Sequence, residues 1–372
     1  MKYQMAMTVF YCLIASAQAK PYIPASPDEV IAVWDMAASR QIHGLPTKNN
    51  LPPEDIAALT QLANQYLDQA AQPGFAYLYG VTEALLKPAI KNNVQDTALL
   101  VAWAQVQQHQ HKFLLAQEIL KKIFTREPNH IAANLLAARL QLIQGNPTAA
   151  QAYCLKLLGH ADLLTFSACS LEARSYQGEK ALAESYAQLQ QLLASQGLPD
   201  DERQLWVLQM LADMAVRLQL YTQAQDLLAK MSQPKSLSAW VQWADIQLAL
   251  NNNPLVAEKI TDVIKQTSQL DDALLIRLVM AEKKLTGESQ WQMQLQERFA
   301  LREQRDDQAH AADLAIYYLD VSRDAKKALY WAERNWQDAR EPGDKKLLVR
   351  AQQLAGVTEN LSEKNIPPME AK

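Results

Sequence analysis

The sequence predicts an all-α chain, an α-solenoid of about eight stacked helix hairpins, and three features carry that prediction. Ala, Leu and Gln, strong helix formers, dominate long stretches, and β-branched runs with period-two alternation are almost absent. Glycine is scarce, 10 residues in 372 against 16 prolines. The residues at the centres of the candidate second helices recur regularly: Ala116, Ala150, Ala183, Ala224, Ala257, Trp291 and Ala328 are spaced by 34, 33, 41, 33, 34 and 37. Four of these six intervals lie within one residue of 34, the length of a two-helix repeat. The two longer ones coincide with insertions near 196–201 and 301–307.

Composition agrees with a packed array. Hydrophobic residues make up 49% and charged residues 20%, which is globular and too apolar for a disordered chain. The formal net charge of −4 supplies no basic stripe for nucleic acid, so no nucleic-acid partner is expected.

Residues 1–19 read as a cleavable signal peptide rather than as part of the fold. Lys2 gives a positive start, Met5 to Ala17 form an apolar stretch broken by Thr8 and Ser16, and Ala17-Gln18-Ala19 is a small-x-small cleavage site. Thirteen residues are too few to span a bilayer as a helix, so no stable membrane insertion is expected after cleavage. Cleavage after Ala19 leaves 353 residues carrying −5, and the expected location is periplasmic. Residues 20–52 then form an N-terminal segment with a short helix, 53–357 the solenoid, and 358–372, with Pro367-Pro368, a frayed tail.

Local signals place the hairpins. The first, residues 53–71 and 75–90, precedes the regular series and uses Gly80 as its small contact. Asn146-Pro147 and Asn253-Pro254 each put a cap residue before a proline at a helix start. Asp272, Asp324 and Asp344 suit the positive ends of helices, and Gly145, Gly178 and Gly287 fall between paired helices, where a left-handed residue ends one. The best repeat reads Leu100-x-x-Trp103-Ala104-x-x-Gln107, then Ala116-x-x-x-Leu120, Ile123 and Pro128. The next keeps Ala137-Ala138 and Ala150-x-x-x-Cys154, and a later one Leu208-x-x-Leu211-Ala212-x-x-Ala215 with Ala224-x-x-x-Leu228. Asp245 stands where a small residue belongs.

In these motifs the chain resembles the tetratricopeptide repeat family. Cys154-Leu155-x-Leu157-Leu158-Gly159, Leu275-x-x-x-Leu278 to Gly287, and Ala332-x-x-Asn335-Trp336 to Arg340-Glu341-Pro342 make it similar to uncharacterised exported members of that family from proteobacteria. The resemblance implies a right-handed superhelix whose first helices line a concave groove that binds a peptide or helix of a protein partner. On this register the groove presents Gln105, Arg139, Glu172, Trp206, Gln209, Asp213, Arg217, Gln242 and Tyr317. Amides, both charge signs and an aromatic suit an extended peptide better than a polyanion.

The sequence offers little for catalysis. It contains no nucleophile elbow, zinc-protease helix or Gly-rich phosphate loop. His109-x-His111 points its rings apart on a helix, and the other histidines are scattered, so neither metal nor cofactor is expected. Cys154 and Cys169 lie nearly equidistant from the turn near Gly159 to Asp162, so a disulfide between them is geometrically open; two free, buried thiols are the alternative. The expectation is a non-catalytic scaffold or adaptor of the cell envelope. Its alternatives are a component of a polysaccharide-export or outer-membrane assembly machine, or the helical arm of a cell-wall hydrolase.

Overall fold

The computed structural model describes residues 55–231, 236–267 and 269–357. The expected signal peptide, the segment 20–52 and the tail 358–372 lie outside these residues.

The described residues form seventeen α-helices and no strand. Eight antiparallel hairpins follow one another: α1 (Ile56–Ala70) with α2 (Leu78–Lys91), α3 (Thr97–His109) with α4 (Phe113–Phe124), α5 (Ile131–Ile143) with α6 (Pro147–Leu155), and α7 (Leu163–Ser175) with α8 (Glu179–Gln196). They continue as α9 (Arg203–Arg217) with α10 (Tyr221–Ala229), α11 (Leu237–Ala249) with α12 (Asn253–Thr267), α13 (Asp272–Thr286) with α14 (Gln292–Gln304), and α15 (Ala311–Ile316) with α16 (Ala325–Asp338). A π-helical turn, Tyr317–Val321, prolongs α15, and α17 (Pro342–Leu354) ends the array. This is a tetratricopeptide-like solenoid, each hairpin burying its apolar stripe on its neighbours.

Several first helices begin on side-chain caps. Asp96, Asp162 and Ser236 accept from the backbone amides of Leu99, Thr165 and Ala239. Each hairpin turn passes through one residue of positive φ: Gly74, His111, Gly145, Gly178, Gln219, Asn251, Gly287 and Arg323. Only four of the eight are glycine, although this conformation costs any other residue roughly 1–2 kcal/mol.

The inter-helix contacts revise the register read from sequence. Ala116, Ala150, Ala224 and Ala328 are fully buried at the hairpin seams. Ala183 is exposed, and Leu182, Ser185 and Tyr186 pack in its place. Ala257 is only partly buried beside fully buried Val256. Trp291 is the N-cap of α14, whose core residues are Leu295 and Phe299. Gly80 is exposed, with no neighbour where a Cβ would stand, so it is not the first hairpin's contact. The close-approach residue of α11 is Ala244 rather than Asp245.

The array coils tightly enough for successive turns to touch. Leu237 donates its amide to the carbonyl of Ala71 at 2.7 Å, and Gly74 donates to a carboxylate oxygen of Asp271 at 2.8 Å. The first hairpin thus rests on the sixth and on the start of the seventh. Arg340 donates its amide to the carbonyl of Ile143 at 2.6 Å, which docks the α16–α17 junction on the third hairpin. Both contacts join elements about five hairpins apart. The first helices therefore face a common interior.

Candidate functional site

That interior is a cavity of about 1060 Å³ lined from α5, α7, α9, α11, α13, α15 and α17. Its volume is at the upper end of the range for pockets that bury a small ligand or part of a peptide. Trp206, Met210, Val241, Met280 and Ile316 supply apolar surface, and charged side chains are grouped around it in pairs.

Arg139, on α5, reaches across the interior to Glu341, just before α17, with a nitrogen on each carboxylate oxygen at 2.9 and 3.0 Å. Tyr176 donates its hydroxyl to the same carboxylate at 2.9 Å, and Glu172 stands 3.8 Å from Arg139. Burial works against the charge of Arg139, but Glu341, Tyr176 and Glu172 outweigh it and hold the guanidinium more firmly protonated than usual. Burial raises Glu172 to about 7, with Asp213 and Glu341 adding to the shift and Arg139 and Arg217 opposing it. Burial likewise raises Asp213, despite Arg217 at 2.8 Å. The Tyr176 hydroxyl is pushed up by burial and then by Glu341.

Elsewhere in the lining, Arg277 grips Asp245 with two 2.7 Å bonds. Arg350 pairs with Asp320 at 2.5 Å. Gln242 donates its amide to the carbonyl of Gln209 at 2.9 Å, while its side-chain oxygen, sealed from solvent, has no donor among the described residues.

Six of the nine residues assigned to the groove from sequence line this cavity: Arg139, Glu172, Trp206, Gln209, Asp213 and Gln242. Arg217 stands behind them, bonded to Asp213 and Ser175 and stacked 4.5 Å over the Tyr176 ring. Gln105 is exposed on α3 and does not reach the cavity. Tyr317 lies in the core, stacked on Phe299 with ring centroids 4.9 Å apart. Ala312, Ile316 and Asp320 take the cavity face of that hairpin, because Ala311, Leu314, Ala315 and Tyr318 turn inward to the core. The sequence reading missed the contributions of α13 and α17, namely Arg277, Met280, Glu341 and Arg350. The only signal for them was their place in first-helix or terminal-helix positions.

Cys154 and Cys169 are buried and face one another across the α6–α7 seam, with Cα atoms 5.5 Å apart. Their sulfurs stand at bonding distance, a geometry that suits a disulfide. His109 stacks on Tyr79 with ring centroids 3.3 Å apart. Among the described residues, no three His, Cys, Asp or Glu side chains converge as metal ligands, and no helix is long and apolar enough to cross a membrane.

No protein-family model matches the chain, and no curated protein sequence matches it. Among solved structures it is similar to a tetratricopeptide repeat protein from Parabacteroides merdae, at 13% identity over 80% of this chain and 98% of that one, with a TM-score of 0.35. It is also similar to the TPR domain of P58(IPK), at 14% identity over 81% and 98%, with a TM-score of 0.25. The tetratricopeptide-like description of this chain rests on its own hairpins, their length and their stacking.

Proposed function

We propose that this chain is a non-catalytic binding protein, exported to the periplasm, that holds a peptide or helical segment of a protein partner inside its coil. One observation carries the reading: the first helices of six consecutive hairpins, with α17, converge on a single cavity of mixed apolar and charged lining. That lining suits a peptide, which brings apolar side chains, amides and charges together. Some of the charged groups are directly paired, Arg277 with Asp245 and Arg217 with Asp213. The raised Glu172 belongs to such a network, and ion-pair networks shift carboxylates without any acid–base task.

Export rests on Lys2, the apolar stretch from Met5 and the Ala17-Gln18-Ala19 site, and a cysteine pair at bridging distance suits an oxidising compartment. A photo-crosslinking residue at position 206 tests the binding site, with the same residue at exposed Met293 on α14 as the control. Crosslinking of one envelope protein from 206 and not from 293 is expected. Capture from 293 alone would place the interface on the outer surface and refute the reading.

A further inference from the structure

Charge is unevenly distributed inside the cavity. At the α17 end four carboxylates, Glu172, Asp213, Glu341 and Asp344, share two guanidiniums, Arg139 and Arg217. They form one cluster: Glu172 feels the charge of Asp213 and Glu341, Asp213 feels that of Glu341, and Asp344 accepts the backbone amide of Glu341 at 3.0 Å. Arg139 spends both terminal nitrogens on Glu341, and Arg217 spends its Nε on Asp213 and both terminal nitrogens on Ser175. Glu172 is left with Arg139 at 3.8 Å, beyond hydrogen-bond range, and no closer partner among the described residues. This end therefore offers carboxylate acceptors, four against the three cations Arg139, Arg217 and Lys346. Elsewhere in the lining the pairs Arg277–Asp245 and Arg350–Asp320 cancel one for one.

The apolar part of the cavity lies beside this end. Trp206, Met210 and Asp213 occupy one stripe of α9, so an aromatic surface and a carboxylate stand two helical turns apart, roughly 10 Å. An occupant that satisfies both needs a multi-donor cation and, one to two helical turns away, an apolar body.

From this we infer that the cavity takes a peptide segment which inserts a Lys or Arg side chain at Glu172 and Asp213 and lays neighbouring apolar residues on Trp206 and Met210. An acidic segment would add negative charge to a pole already short of cations, a juxtaposition that costs binding. The inference rests on the reading of the cavity as the binding site and names the chemistry of its partner.

The test is selection of a displayed library of random dodecapeptides on the purified protein. The affinities of synthetic hits are then measured by fluorescence polarisation. Enriched peptides are expected to carry Lys or Arg beside Trp, Leu or Met. They should lose at least tenfold in affinity on the Glu172→Gln/Asp213→Asn double variant, keep it within threefold on Asp213→Glu, and weaken on Trp206→Ala. The near-isosteric variants are checked for an unchanged circular dichroism spectrum.

Hits without a cation, or basic hits that bind the double variant within twofold of wild type, overturn the inference; if Trp206→Ala still weakens them, the cavity remains the binding site. Hits insensitive to Trp206→Ala and to the double variant, or a selection without hits, overturn both.

Discussion

Arg139 and Glu341, 202 positions apart, clasp each other through two parallel hydrogen bonds, so that α17 is tied to the third hairpin across the interior of the coil. Tyr176 adds a third bond to the same carboxylate, and the Arg340 amide docks on Ile143 beside it. Charge-assisted pairs of this kind contribute about 1.5–3 kcal/mol, less here because Arg139 is partly open to the cavity. Arg139→Ala should therefore loosen α17 by about 1–2 kcal/mol. Amide hydrogen exchange should quicken in α17 and at the α5–α6 turn, with α1 to α4 unaffected.

The raised Glu172 makes stability depend on pH in a defined direction. Its ordinary value is 4.5 and its folded value about 7, so the folded chain holds the proton more tightly than the unfolded one. That advantage is full below about pH 4.5 and is lost as pH rises through 7. Glu172→Gln keeps the neutral, proton-bearing shape at every pH. It should raise the melting temperature at pH 8 by about 1–3 °C and leave it unchanged at pH 4.

Cys154 and Cys169 are separated by 15 residues, and a bridge closing that loop contributes about 3 kcal/mol in the chain-entropy estimate. We expect the exported protein to show no free thiol at either position by mass spectrometry after alkylation. Cys154→Ser should lower stability by about that amount under oxidising conditions, and by much less when wild type and variant are both reduced.

The hairpin turns allow a prediction of opposite sign. Gln219 has φ +62° between α9 and α10. Glycine would relieve roughly 1–2 kcal/mol of strain while costing about 0.4–1 in unfolded-chain entropy, so Gln219→Gly should stabilise by about 0.5–1 kcal/mol. Gly145, at φ +76°, should respond the other way: an added Cβ would lie 3.0 Å from the Cβ of Arg340. Gly145→Ala is therefore expected to destabilise the turn and the α17 docking together, measurable by urea denaturation.

The hairpins were legible because burial in a helix pair imposes a local period, and Ala116, Ala150, Ala224 and Ala328 sit where that period placed them. The turns at His111, Gln219, Asn251 and Arg323 were not, since no glycine marks their left-handed residue. One repeat of the motif was overlooked: Trp240-x-x-Trp243-Ala244-x-x-Gln247 copies Leu100-x-x-Trp103-Ala104-x-x-Gln107, with both alanines and both glutamines buried. Counting from Asp245 obscured it by one position. Tyr317 went astray by one position, because the cavity face of α15 runs through Ala312 and Ile316 and Tyr317 turns to Phe299 in the core. The closure of the coil lies beyond a local pattern, since the Arg139–Glu341 clasp depends on rotations accumulated over five hairpins.

Hydrogen exchange on the protein with and without a saturating selected peptide tests the central claim most directly. Protection should appear on the cavity-lining helices α5, α7, α9 and α11, and on α17, which bring Arg139, Glu172, Trp206, Gln242 and Glu341 together. Protection confined to the second helices α4, α6, α8 and α10, with the first helices unchanged, would contradict it.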